Sequence, residues 1–166
     1  DPWLQIYGPD GSRLYSEATY TSLSSTLSAV SAGRYYVVVR EWGSTGFGDY
    51  KVLLSRVPGE QNADDEGKLL ISGQSETGNF SLGDTDVYWY DAVEGDTLIV
   101  DLSEVDSSYD PWLQIYGPDG SRLYSEVAYA SLSSTLSAVS AGRYYVVVRE
   151  WGSTGSGQYS LMITKE

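Results

Sequence analysis

Over much of the chain, apolar and polar positions alternate with a period of two, and turn-forming clusters interrupt them at short intervals. In residues 86–92, Tyr88 and Tyr90 share one face, and Val87 and Trp89 share the other. Residues 97–102 present Leu98, Val100 and Leu102 as an inner face, and residues 112–116 bring Leu113 and Ile115 together. Residues 143–150 read as the strongest strand. Shorter candidates are 68–72, 79–82, 122–125, 133–138 and 158–164. Glu94-Gly95-Asp96, Gly117-Pro118-Asp119-Gly120 and Ala141-Gly142 are turns, because Pro presets φ and Gly tolerates positive φ. Residues 152–157 form a Gly/Ser loop. Eight or so short strands without helical spacing predict an all-β fold, an antiparallel sandwich.

The pattern repeats. Asp1-Pro2-Trp3-Leu4-Gln5-Ile6-Tyr7-Gly8-Pro9-Asp10-Gly11 returns, residue for residue, from Asp110 to Gly120. The offset holds to the end of the chain, where Val57 aligns with Glu166, and about 45 of the 57 aligned positions are identical. Residues 58–166 make one whole period, and residues 1–57 match only its second half. The reading therefore divides the chain into an incomplete sandwich at 1–57, an acidic linker at 58–66 and a complete sandwich at 67–166. One front half (67–105) stands beside two back halves, a ratio that swapping between identical chains cannot change. An orphan half-sandwich leaves apolar faces and open strand edges. The expectation is a window on a longer repeating polypeptide, a processed product or a truncated chain, with a neighbouring repeat supplying the missing half. The alternative is that 1–57 packs in a new way against the complete copy.

Composition narrows the function classes. The net charge is −13, from 23 acidic and 10 basic side chains. It argues against nucleic acid and anionic membranes as partners, and favours cations or simple solubility in a salty medium. There is no Cys and no His. Disulfides, thiolate nucleophiles, Ser-His-Asp triads and Cys- or His-based metal sites are thereby excluded. No stretch reaches the roughly 18 apolar residues of a membrane span, so membrane insertion is not expected. Carboxylate pairs such as Glu104 and Asp106 lack any sign of a cleft for glycoside hydrolysis, and the chain reads as non-enzymatic. There is no signal peptide or initiator Met, and the opening at Asp1 reads as cut from something longer.

Several stretches, in order, resemble the bacterial pre-peptidase C-terminal domain family. They are Glu60-Gln61-Asn62, Gly83-Asp84-Thr85-Asp86-Val87-Tyr88-Trp89-Tyr90, Glu94-Gly95-Asp96-Thr97-Leu98, Asp110-Pro111-Trp112-Leu113-Gln114-Ile115-Tyr116 with Pro118-Asp119-Gly120, Gly142-Arg143-Tyr144-Tyr145-Val146-Val147-Val148, and Gly157-Gln158-Tyr159-Ser160-Leu161. The resemblance covers nearly all of 60–166, and 1–57 carries the back set. It implies a jelly-roll-like β-sandwich, non-catalytic, attached to secreted proteases, collagenases and surface proteins, some members binding Ca²⁺ and the collagenase members collagen.

Two candidate sites follow. The resemblance implies that Glu60, Asn62, Asp64 and Asp65 of the acidic lead-in lie near Asp84 and Asp86, which flank a turn. Together they are candidate Ca²⁺ ligands, since that ion takes six to eight oxygens. Ala63 stands where the family often has an acidic residue. The plainer reading is a solvated acidic linker with Asp residues capping turns. The second candidate is an aromatic surface. If Tyr144, Val146 and Val148 point inward, Tyr145 points out beside Trp151, with Tyr129 and Tyr124 nearby and Tyr36 and Trp42 as first-copy counterparts. Exposed Tyr and Trp suit protein or glycan recognition; alternatively, Tyr fills both faces of the sheet and Trp151 covers the sandwich end. The leading expectation is a secreted or surface-borne structural or adhesive repeat, filament-forming and Ca²⁺-stabilised, with neighbouring copies as partners. The rival is an accessory domain that targets a secreted hydrolase to collagen-like protein or glycan.

Overall fold

The computed structural model describes residues 1–59, 67–105, 109–152 and 155–166. Every helix or strand among them is a strand, and the chain divides into two compact units, Asp1–Lys51 and Val52–Glu166. The first unit holds β1 (Pro2–Tyr7), β2 (Arg13–Ala18) and β3 (Tyr36–Glu41), in the order β2-β1-β3. The second holds β4 (Ser75–Phe80), β5 (Thr85–Ala92), β6 (Thr97–Glu104), β7 (Pro111–Tyr116), β8 (Arg122–Val127), β9 (Ser131–Ser137), β10 (Gly142–Glu150) and β11 (Gly157–Lys165). These make two antiparallel four-stranded sheets, β5-β10-β7-β8 and β4-β11-β6-β9.

The core of the second unit lies between the inner faces that alternation predicts. Tyr88, Leu98, Val100, Leu102, Leu113, Ile115, Tyr144, Val146, Val148, Leu161 and Ile163 pack in one cluster. Burying such a side chain contributes about 1.5–3 kcal/mol. Gly78 has a packing reason to be glycine. It sits opposite Tyr159 across the β4–β11 ladder, and a Cβ there would come within 2.2 Å of the Tyr159 ring. Two weak strand candidates shift. Residues 68–72 supply only a single parallel bridge, Leu69 to Trp89. The strand expected at 79–82 lies instead at Ser75–Phe80, a polar segment held by its ladder to β11.

The two units agree wherever structure is local. The hairpin turns at Gly8–Gly11 and Gly117–Gly120 close with the same hydrogen bond (3.0 and 2.9 Å), and Gly11 and Gly120 share φ +81°. Asp10 and Asp119 each accept from the amide and hydroxyl of the serine two residues on. They differ wherever a strand needs the front half. β9 pairs with β6, and β11 pairs with β4 and β6. In the first unit the same heptapeptide as β9, at residues 22–28, forms no strand. Residues 48–56, aligned with β11, form none either. The three strands that persist pair only with one another, inside the back half.

Asp96 ties the end of β11 to the turn before β6. Its carboxylate accepts from the Val93 amide (3.0 Å) and meets Lys165 Nζ at 2.9 Å. The Val93 amide first, and Lys165 next, hold its carboxyl below the usual carboxylate range. A carboxyl depressed by folding stabilises above its unfolded pKa, and the contribution is lost as pH falls through the folded value. The stability gap between the protein and Asp96→Asn is therefore expected to be flat above about pH 5 and to close below about pH 4. Thermal midpoints across pH 2–7 check this.

Candidate functional site

Of the six candidate Ca²⁺ ligands, only Asp84 and Asp86 lie among the described residues. Glu60, Asn62, Asp64 and Asp65 lie outside them. Asp84 closes the Ser81–Asp84 turn, accepting from the Ser81 amide and hydroxyl (3.2 and 3.0 Å) and from the Thr85 amide (3.1 Å). Asp86 is buried and accepts the Tyr159 hydroxyl proton, and the Tyr159 and Tyr88 hydroxyls are 2.8 Å apart. Burial first, then the Asp86 charge, push the Tyr159 phenol up, so it stays a neutral donor. Both carboxylates are engaged with protein donors, and no group of three or more Asp or Glu among the described residues is arranged to hold a metal ion. These two residues alone do not fit a calcium cage, which needs six to eight oxygens.

The aromatic candidates separate by face. Tyr145 does turn away from the main core, but it is not on the surface. It is 7 % exposed, in a second cluster with Val87, Tyr116 and Val147, against which Val57 and Trp89 pack. Alternation predicted its direction; it could not show that another part of the chain covers that face. Tyr124 lies on the inner side at the sheet edge, packs against the core and donates to Glu126 (2.7 Å). Burial first, and then Glu126, push its phenol up to about 12. Tyr129, Trp151, Tyr36 and Trp42 are exposed.

Around Trp151 the outer face of the sheet carries a compact arrangement. Trp112 and Arg149 are cross-strand neighbours, and the guanidinium carbon stands 3.9 Å from the centroid of the Trp112 ring. Trp151 meets Trp112 edge-on, with centroids 4.8 Å apart at 67°. The Trp151 amide donates to the Asp110 carbonyl (2.9 Å), and Trp112 Nε1 donates to Ser125 Oγ (3.0 Å). The first unit repeats it. Arg40 lies 3.5 Å from the Trp3 centroid, Trp42 meets Trp3 at 4.7 Å and 65°, and Trp3 Nε1 donates to Ser16 Oγ at 2.9 Å. Trp3, Trp42 and Tyr20 there line a cleft of about 500 Å³ with Asp1, Arg13, Ser16 and Glu17. Cation–π and edge-to-face contacts of this kind contribute about 0.5–2 kcal/mol each and fix the ring planes. Sequence reasoning picked out Trp42 and Trp151 but not Trp3, Trp112, Arg40 or Arg149. The available signal was the parity of β7, which puts Trp112 on the face opposite Leu113 and Ile115.

Fold and site together define an all-β sandwich module with an aromatic–arginine face. No family model matches the chain, and no curated protein matches it. Solved structures do. The pre-peptidase C-terminal domain of a collagenase from Bacillus anthracis is 17 % identical, with a TM-score of 0.52 over 63 % of this chain and 100 % of that one. The periplasmic g-type lysozyme inhibitor PliG of Aeromonas hydrophila is 17 % identical, with a TM-score of 0.46 over 60 % of this chain and 99 % of that one. The collagenase domain shares the β-sandwich fold.

Proposed function

We propose that the chain is part of a non-catalytic extracellular repeat protein, structural or adhesive, in which back halves are closed by front halves of neighbouring copies. One observation carries this: the heptapeptide Ser-Leu-Ser-Ser-Thr-Leu-Ser is a strand at 131–137, where the front half is present, and has no regular structure at 22–28. The open edge of β3 and the exposed Tyr36, Val37 and Tyr50 of the first unit are then what a neighbour covers. Sedimentation velocity tests the reading. Concentration-dependent self-association through this open surface is expected. A monodisperse species of 18.2 kDa at all concentrations would count against it.

A second reading rests on the duplicated tryptophan–arginine face. It treats the module as an accessory domain that directs a secreted protein to a polymer, whether collagen-like protein or glycan. Two equal faces on one chain would add avidity. Replacing Trp42 and Trp151 together by Ala is expected to weaken binding to such a polymer roughly thirtyfold or more, the scale of aromatic hot spots. Immobilised polymer and unchanged circular dichroism make the check; equal retention of both proteins would rule this reading out.

A further inference from the structure

We propose that Val57–Gly59 is a docking strap, by which the segment following the last strand position of one repeat binds the outer sheet of the next. This rests on the repeat reading for its meaning in a longer protein; the docking itself does not. The offset that aligns the two copies places residues 48–56 on β11 and Val57 on the last residue, Glu166. The strap therefore begins where a repeat's own strands end.

The two copies provide an internal control. Val57 packs on the outer cluster of the β5-β10-β7-β8 sheet. There Tyr145 and Val147 are 7 % and 6 % exposed, whereas their counterparts Tyr36 and Val38 are 52 % and 39 % exposed. Part of that difference comes from the absent β5 partner. The turn glycines separate the two causes, because Gly120 lies between β7 and β8, away from β5, and Gly11 lies at the equivalent turn between β1 and β2. A Cβ on Gly120 would meet Pro58 Cδ at 2.7 Å, while a Cβ on Gly11 would meet nothing within 4 Å. Backbone and sequence are the same at both turns, so the strap is what occupies the second.

The strap also leaves its repeat's core residues available. Leu53, Ser55 and Val57 are partly buried and alternate with exposed Val52, Leu54 and Arg56. Val52 and Leu54 align with Leu161 and Ile163, which fill the core of the complete unit. The side chains a preceding sandwich would bury are thus not those the strap uses.

Trypsin reads the docking in the intact chain, through the Arg56–Val57 bond, with mass spectrometry of the fragments. Cleavage there is expected to be slow in the unaltered protein and about tenfold faster in Val57→Asp, which places a charge against the cluster. Gly120→Ala should also speed it, whereas Gly11→Ala, with the same positive φ, should not. If Arg56–Val57 is cut equally fast in the unaltered protein and in Val57→Asp, or if both glycine variants act alike, the strap is not docked. Neither outcome depends on whether the chain self-associates, so this test can fail while the repeat reading stands.

Discussion

Ile163→Ala is expected to destabilise the protein by about 2–5 kcal/mol, the range for emptying a buried aliphatic site. Leu54→Ala, at the aligned position, is expected to change stability by less than about 0.5 kcal/mol. The residues differ in environment far more than in chemistry. Ile163 is 1 % exposed between β4 and β6, and Leu54 is 65 % exposed. Urea midpoints for the unfolding of the complete sandwich, with unchanged slope, provide the comparison. Similar losses at both sites would mean that residues 48–56 already have a core.

Placing a second copy of residues 58–109 ahead of Asp1 should convert the first unit into a sandwich. A strand like β5 would pair with β3, and strands like β6 and β4 would recruit residues 22–28 and 48–56, in the registers of the complete unit. The completed unit should then unfold cooperatively, with the roughly 5–15 kcal/mol usual for a domain. Its exposed apolar side chains should also stop binding a hydrophobic dye. Dye binding and β-content unchanged per first unit would contradict the account.

What the sequence made legible was local. Parity assigned Leu98, Val100 and Leu102 inward, and split Tyr88 and Tyr90 from Val87 and Trp89, because side-chain direction in a strand has a fixed period. The Pro-Asp-Gly turns were readable from their own residues. What stayed hidden depends on partners far away in the chain. Nothing within Ser-Leu-Ser-Ser-Thr-Leu-Ser says whether β6 is at hand. Nothing around Tyr145 says that Val57 lies over it. The stacking of Arg149 on Trp112 needs β10 beside β7, a pairing across 37 sequence positions. Nothing in Gly83-Asp84-Thr85-Asp86 says that the Tyr159 hydroxyl, 73 positions further on, donates to Asp86 in the interior.

The central claim is that one sequence takes two structures according to the presence of a front half. Amide hydrogen exchange by NMR measures it directly, because residues 22–28 and 131–137 have identical side chains and nearly identical intrinsic rates. Within 131–137, the amides that donate to β6 should be protected roughly a hundredfold or more over their counterparts in 22–28. Equal protection at the two heptapeptides would contradict it.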